Sequence, residues 1–234
     1  MRKVLLVARR EYRDLTGQRW IIVAGVLITG WFSVMSALKL SKAAVADLSG
    51  EYNSSLFFLF VTMGIFVGYL FSGQAFLREK LDGVIETLMA APVSLRALWL
   101  GKAIGVSLPA YLVMLAGAVV FTGVAQVVAP ATVLPSLPVL IHVFVGVPTF
   151  ILAAVGLLGF AQLLLGMREN HIVNLTVFFL LFFGIAFTQT VLPNPGGVSW
   201  TQLGVLLGFG VFLLALTGWL SKYLSRERIV RTIP

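Results

Sequence analysis

The sequence predicts an all-α, polytopic membrane protein: six transmembrane helices, one interfacial helix before the first, and a short cytoplasmic helix between the second and third. Three observations carry this. Hydrophobic residues make up 59% of the chain and charged residues 11%, with a mean hydropathy of +1.00, whereas a soluble domain carries about a quarter charged. The apolar residues fall in runs of roughly 20, the length that spans a bilayer as a helix. Finally, 15 of the 17 Lys and Arg fall on alternate connections between those runs, the asymmetry that marks the cytoplasmic side. A single transmembrane domain therefore occupies 1–234, with both termini cytoplasmic.

The first element is residues 1–19, an interfacial helix. Val4, Leu5, Ala8, Tyr12 and Leu15 recur at helical spacing while Lys3, Arg9, Arg10 and Arg13 fill the rest of the wheel. The apolar side is expected in the acyl boundary and the arginine side toward anionic headgroups. The spans then run Trp20–Leu38, Leu56–Leu77, Ala103–Val128, Val139–Met167, Ile172–Leu192 and Gln202–Leu220. On the external side only Lys39 and Lys42 are basic, balanced by Asp47 and Glu51, and the connections at 130–138 and 193–201 are uncharged and rich in Pro and Gly. Ala44-Val45-Ala46 could end a signal peptide, but the first apolar run exceeds a signal core and its removal would break the charge symmetry. Asn53-Ser54-Ser55 is formally a glycosylation acceptor, a triplet common by chance.

Segment 78–102 is the most patterned part of the chain outside the spans. Leu81, Val84, Ile85, Leu88 and Met89 form one helical stripe, and Lys80, Asp82, Gly83, Glu86 and Thr87 lie off it. Pro92 ends that helix. Ser94 is placed to cap the next, which runs into the third span. A short helix presenting a charged face is thereby held between two membrane helices.

The run from Phe76 through Arg78-Glu79-Lys80-Leu81-Asp82-Gly83-Val84-Ile85-Glu86-Thr87-Leu88 to Pro92-Val93-Ser94, followed by Gly101-Lys102, resembles the cytoplasmic motif of ABC-2 family permeases. The rest of the chain is similar in layout alone. The resemblance implies the permease subunit of an ATP-driven exporter: two copies, or two related permeases, pair in the cytoplasmic (inner) membrane of a prokaryote. Each docks a coupling helix into a cleft of a separate ABC ATPase subunit, which holds ATP and Mg. By the same resemblance Arg78, Glu79, Lys80, Gly83, Glu86, Thr87 and Pro92 would lie at or near the ATPase contact. An assembly or haem-handling membrane subunit is the alternative, since Gly146-Val147-Pro148-Thr149 faintly resembles haem-export permeases.

Other chemistries are weighed against the residues. No phosphate-loop sequence occurs, so the chain is not expected to bind nucleotide or to be an enzyme, and no cofactor is expected in it. The net charge of +8 sits in clusters between spans, which suits a membrane surface and not nucleic acid. There is no cysteine. His142 and His171 fall toward opposite sides of the membrane, so no shared metal site is expected, and each reads as an interfacial residue. Ser107 with His142 is the one faint nucleophile–base pair. An ion-coupled transporter would rely on charged residues inside the spans, and none lies in their interior. Gly64-x-x-x-Gly68, Gly101-x-x-x-Gly105 and Gly204-x-x-x-Gly208 suit close helix packing. Ser33, Thr62, Tyr69, Ser107, Tyr111 and Asn174 are the candidate pathway residues, neutral groups that suit an amphipathic cargo better than a small ion.

Overall fold

The computed structural model describes residues 2–83, 93–165, 167–191, 197–225 and 229, with backbone alone at 167–171, 174 and 187–191. Among them there is no strand. The elements are α1 (Arg2–Gly17), α2 (Arg19–Lys39), α3 (Leu48–Leu81), α4 (Leu95–Val128), α5 (Leu137–Leu164), α6 (Met167–Val191) and α7 (Trp200–Leu220). Helices α2, α3, α4, α5 and α7 are each long and apolar enough to cross a bilayer. Among the described residues the apolar stretch of α6 is Leu175–Ala186, inside a helix of 25 residues.

Helix ends follow local chemistry. Ser94 caps α4 as expected, its Oγ accepting from Ala97 N at 3.3 Å. Ser199 and Gln202 form a reciprocal capping box at the start of α7. The fourth span was expected to reach Met167, but α5 stops at Leu164, where Leu165 turns extended, and Met167 already belongs to α6. The apolar run is continuous across that break, so hydropathy alone does not show it.

Helices α3, α4 and α5 form the centre of the bundle, with α2 and α7 at its periphery. Two of the three glycine pairs make this packing possible. A Cβ on Gly64 would stand 2.8 Å from Ile151 and one on Gly68 3.0 Å from Val155, so α3 and α5 approach at bare backbone. Gly101 and Gly105 do the same for α1: a Cβ there would meet Val7 at 2.6 Å and the Ala8 carbonyl at 2.6 Å. The Gly204/Gly208 pair faces open space.

Part of the predicted apolar stripe of α1, Ala8 and Leu15, therefore packs on protein, and Leu5 of the same stripe stays exposed. Ala8, Glu11 and Leu15 are buried against α4, with Val4 and Val7 half-buried beside them, while Leu5 and Leu6 are 64% and 68% exposed. Glycines at 101 and 105 let the two backbones touch, so this face packs on α4. Exposed Trp20, Trp219 and Tyr223 ring the same end of the bundle, and exposed Trp200 marks the other, as interfacial aromatics do.

Two helices contain a π turn, at Gly73–Arg78 in α3 and His142–Gly146 in α5. His142 is fully buried rather than interfacial: its ring stacks on Phe57 at 3.9 Å and fills the space beside Gly146. Asn53 is buried as well. Its amide donates to Ser49 O at 2.7 Å and its carbonyl accepts from Ser136 N at 2.7 Å, so it is no accessible glycosylation acceptor.

Candidate functional site: the Lys102 junction

At the end of the bundle that carries α1, the last turns of α3, the first turns of α4 and the last turn of α5 meet it. Lys102 is at the centre, with no solvent exposure. Its Nζ lies 2.7 Å from Glu11 Oε1 on α1 and 2.6 Å from Glu79 Oε2 on α3, and donates to the Ala75 carbonyl at 3.0 Å. The Phe76 ring completes the shell, with the ammonium 5.6 Å from its centroid. Phe76 in turn lies against Gly159 of α5, where a Cβ would stand 2.6 Å from it. A buried ammonium is tolerated only when its charge and donors are matched, and here two carboxylates and a carbonyl match them.

The π turn of α3 sets this geometry. It spans Gly73–Arg78, and Ala75 and Phe76, the residues that face Lys102, lie inside it, with Glu79 at its end. π turns recur at functional sites. The helix then ends: Asp82 N bonds the Arg78 carbonyl at 2.9 Å, and Gly83 takes φ +69°, the left-handed conformation that terminates helices and favours glycine.

Lys80 is the second buried cation. The sequence places it on a charged outward face, but its Nζ points inward and donates to the carbonyls of Gln162 (3.4 Å), Leu163 (3.2 Å) and Leu165 (2.6 Å). These are the carbonyls that the C-terminus of α5 leaves without intrahelical partners, and a cation there also matches the helix dipole. The side chain of the same Gln162 donates to Ser72 on α3 at 3.3 Å. The motif segment is thus fastened at two points, through Glu79 to α1 and α4, and through Lys80 to the end of α5.

The sequence-predicted coupling residues divide accordingly. Glu79 and Lys80 face inward. Arg78 is exposed and pairs with Asp82 at 3.6 Å, and Gly83 makes the turn. Glu86, Thr87 and Pro92 lie outside the described residues. Glu11 and Lys102 were not among the predicted site residues, although Gly101-Lys102 had been read as part of the motif.

Electrostatically the junction carries one carboxylate more than Lys102 can neutralise. Burial holds the Glu11 carboxyl above the usual carboxylate range; Lys102 pulls it down, and the charge of Glu79 pushes it up.

The six pathway candidates are not brought together. Ser33 is buried on α2 against Gly117 of α4. Ser107 donates to the Ala103 carbonyl of its own helix at 2.6 Å, and Tyr111 donates to Val143 O in the π turn of α5 at 3.2 Å. Tyr69 is half-buried beside Phe178 of α6, Thr62 is half-buried, and the Asn174 side chain lies outside the described residues. An apolar groove of about 440 Å³, lined by Leu56, Leu115, Val119, Val143 and Phe144 among others, includes none of them.

No curated protein matches the chain. The family model described as "ABC-2 family transporter protein" matches residues 18–186, from the start of α2 to near the end of α6, and so includes the whole motif segment and Lys102. A match over more than half the chain, together with the multi-pass helical bundle, shows that this protein belongs to the ABC-2 transporter family and is a membrane permease component of an ABC transporter.

Proposed function

We propose that the chain is the permease subunit of an exporter, working as two copies or with a related permease, and that the cytoplasmic junction passes the movement of the ATPase subunit to the membrane helices. The observation that carries this is the double fastening of the motif segment. Glu79 is held on Lys102 of α4 and Lys80 on the end of α5, so a push on residues 84–92 reaches α1, α4 and α5 together. Arg78, Gly83, Glu86, Thr87 and Pro92 then serve the contact with the ATPase, and Glu79 and Lys80 position it. ATP and Mg belong to that partner.

The 15 to 2 division of Lys and Arg supports cytoplasmic termini, in the inner membrane of a prokaryote. The scattered neutral polar residues and the apolar groove fit an amphipathic cargo better than an ion. The test is co-purification with the ABC ATPase encoded beside this chain. Wild type carries the ATPase with it and alters its ATP hydrolysis. Glu86→Ala removes a charge-assisted contact, a loss of roughly 2–5 kcal/mol where the pair is buried, so the ATPase is lost while the membrane subunit still folds. Wild-type recovery of the ATPase with Glu86→Ala, Arg78→Ala and Thr87→Ala alike would place docking elsewhere.

A further inference from the structure

The outward face of α1 is unused by the coupling junction and carries its own chemistry. Leu6, Arg9, Arg10, Tyr12, Arg13 and Thr16 line an open trough of about 490 Å³ along the helix. Arg9 and Arg13 stand one turn apart, so both side chains reach one point above the helix surface. Among the described residues neither forms an ion pair, and Arg10 meets only Asp14, through an exposed contact at 3.4 Å. Exposed pairs of that kind hold their partners weakly. The one other carboxylate on α1, Glu11, faces inward on Lys102. Among the described residues, Asp14 is the one carboxylate paired with this guanidinium cluster.

The apolar residues beside the cluster identify the anion. Leu5 and Leu6, 64% and 68% exposed, sit one turn before Arg9 and Arg10 and two before Arg13, and exposed Trp20 lies in the first turn of α2, directly after α1. A soluble anion has no use for two exposed leucines next to its phosphate. A phospholipid does, because its headgroup and acyl chains meet at this depth.

We propose that the outward face of α1 is a binding site for an anionic phospholipid, with Arg9 and Arg13 forking onto the headgroup phosphate, Arg10 adding charge, and Leu5 and Leu6 entering the acyl boundary. Guanidinium forks match phosphate in a way an ammonium does not. Because the inward face of the same helix holds Glu11 on Lys102, the lipid sits one helix diameter from the coupling junction.

The test uses the full-length chain in nanodiscs of phosphatidylcholine, alone or doped with phosphatidylglycerol of the same acyl chains, followed by native mass spectrometry of the released protein. Wild type retains phosphatidylglycerol in preference to phosphatidylcholine. Arg9→Gln/Arg13→Gln lowers that retention roughly tenfold or more, with an unchanged melting temperature in phosphatidylcholine. Arg96→Gln/Lys222→Gln, an equal charge loss elsewhere, leaves it as in wild type. Arg9→Lys/Arg13→Lys keeps the charge and loses the fork, so its retention is intermediate. Equal losses in the two glutamine pairs, or wild-type retention in the lysine pair, would reduce the site to general surface charge and overturn the proposal. Displacement of the lipid by inorganic phosphate would overturn it in favour of a soluble anion.

Discussion

Lys102 Nζ is shared by Glu11 Oε1 at 2.7 Å and Glu79 Oε2 at 2.6 Å, so one buried ammonium ties the interfacial helix to the end of α3. Two carboxylates against one cation make the pairs redundant. Glu11→Gln or Glu79→Gln alone leaves the other carboxylate in place, and each should shift stability by under about 1 kcal/mol near neutral pH, Glu11→Gln in the favourable direction. The double variant strands an unpaired buried ammonium and should cost about 3–5 kcal/mol, far beyond the sum. Lys102→Met, which strands both carboxylates, should resemble the double variant. Thermal unfolding of the four purified proteins measures this, and additive losses would show that the pairs act independently.

Burial of the Glu11 carboxyl, with the charge of Glu79 beside it, predicts a pH dependence. The folded protein holds the Glu11 proton more tightly than the unfolded chain, whose carboxyl titrates near the ordinary value of 4.5. The stability this contributes is therefore fully present below that value and is lost as pH rises through the higher folded value. Glu11→Gln fixes the neutral form. Its melting temperature should match that of wild type at acid pH and gain on it as pH rises. A gap that stays constant across the titration would mean that Lys102 fully compensates Glu11.

The glycine pairs give a contrast within one fold. Gly105→Val places side-chain atoms where Ala8 O and Glu11 Cβ already stand, 2.6 and 2.7 Å from the new Cβ. It should prise α1 from α4 and cost more than about 2 kcal/mol, in part by drawing Glu11 off Lys102. Gly204→Ala and Gly208→Ala meet nothing within 4 Å and should stay within about 0.5 kcal/mol of wild type. Folded yield and melting temperature decide it. A large loss at Gly204 or Gly208 would reveal a partner packed on α7.

The helices and the cap of α4 were legible because lipid imposes long apolar runs and Ser94 chemically marks a start. The face of α1 was not. Val4, Ala8, Glu11 and Leu15 share one helical stripe, and a glutamate on an apolar stripe reads as a blemish until a cation is found for it. The signal was there in Lys102, a lysine set among Trp99, Leu100, Gly101, Ala103 and Ile104 with glycines that admit another helix. Burial of Lys80 had no such marker, since a cation capping a distant helix leaves no trace at its own position. The π turns are equally silent, because one residue of extra winding changes no composition.

Lys80 makes the last prediction, because it joins the motif segment to a helix end 82 to 85 residues away in sequence. Lys80→Met keeps the packed stem and removes the ammonium, leaving the carbonyls of Gln162, Leu163 and Leu165 without its donors. A buried acceptor left unmet costs about 1–3 kcal/mol, and water at this end of the bundle can recover part of that. The loss should be local: amide exchange rises in the last turn of α5 and the first of α6, while the middle of α5 keeps its protection. The Lys102 cluster draws on α1, α3 and α4, so its protection should also be retained. In the assembled transporter, ATPase binding should survive while the dependence of hydrolysis on the membrane subunit weakens, because the segment remains but one of its two fastenings is gone. Unchanged exchange at 162–165 in a folded Lys80→Met protein would mean that the end of α5 holds itself and that this lysine transmits nothing.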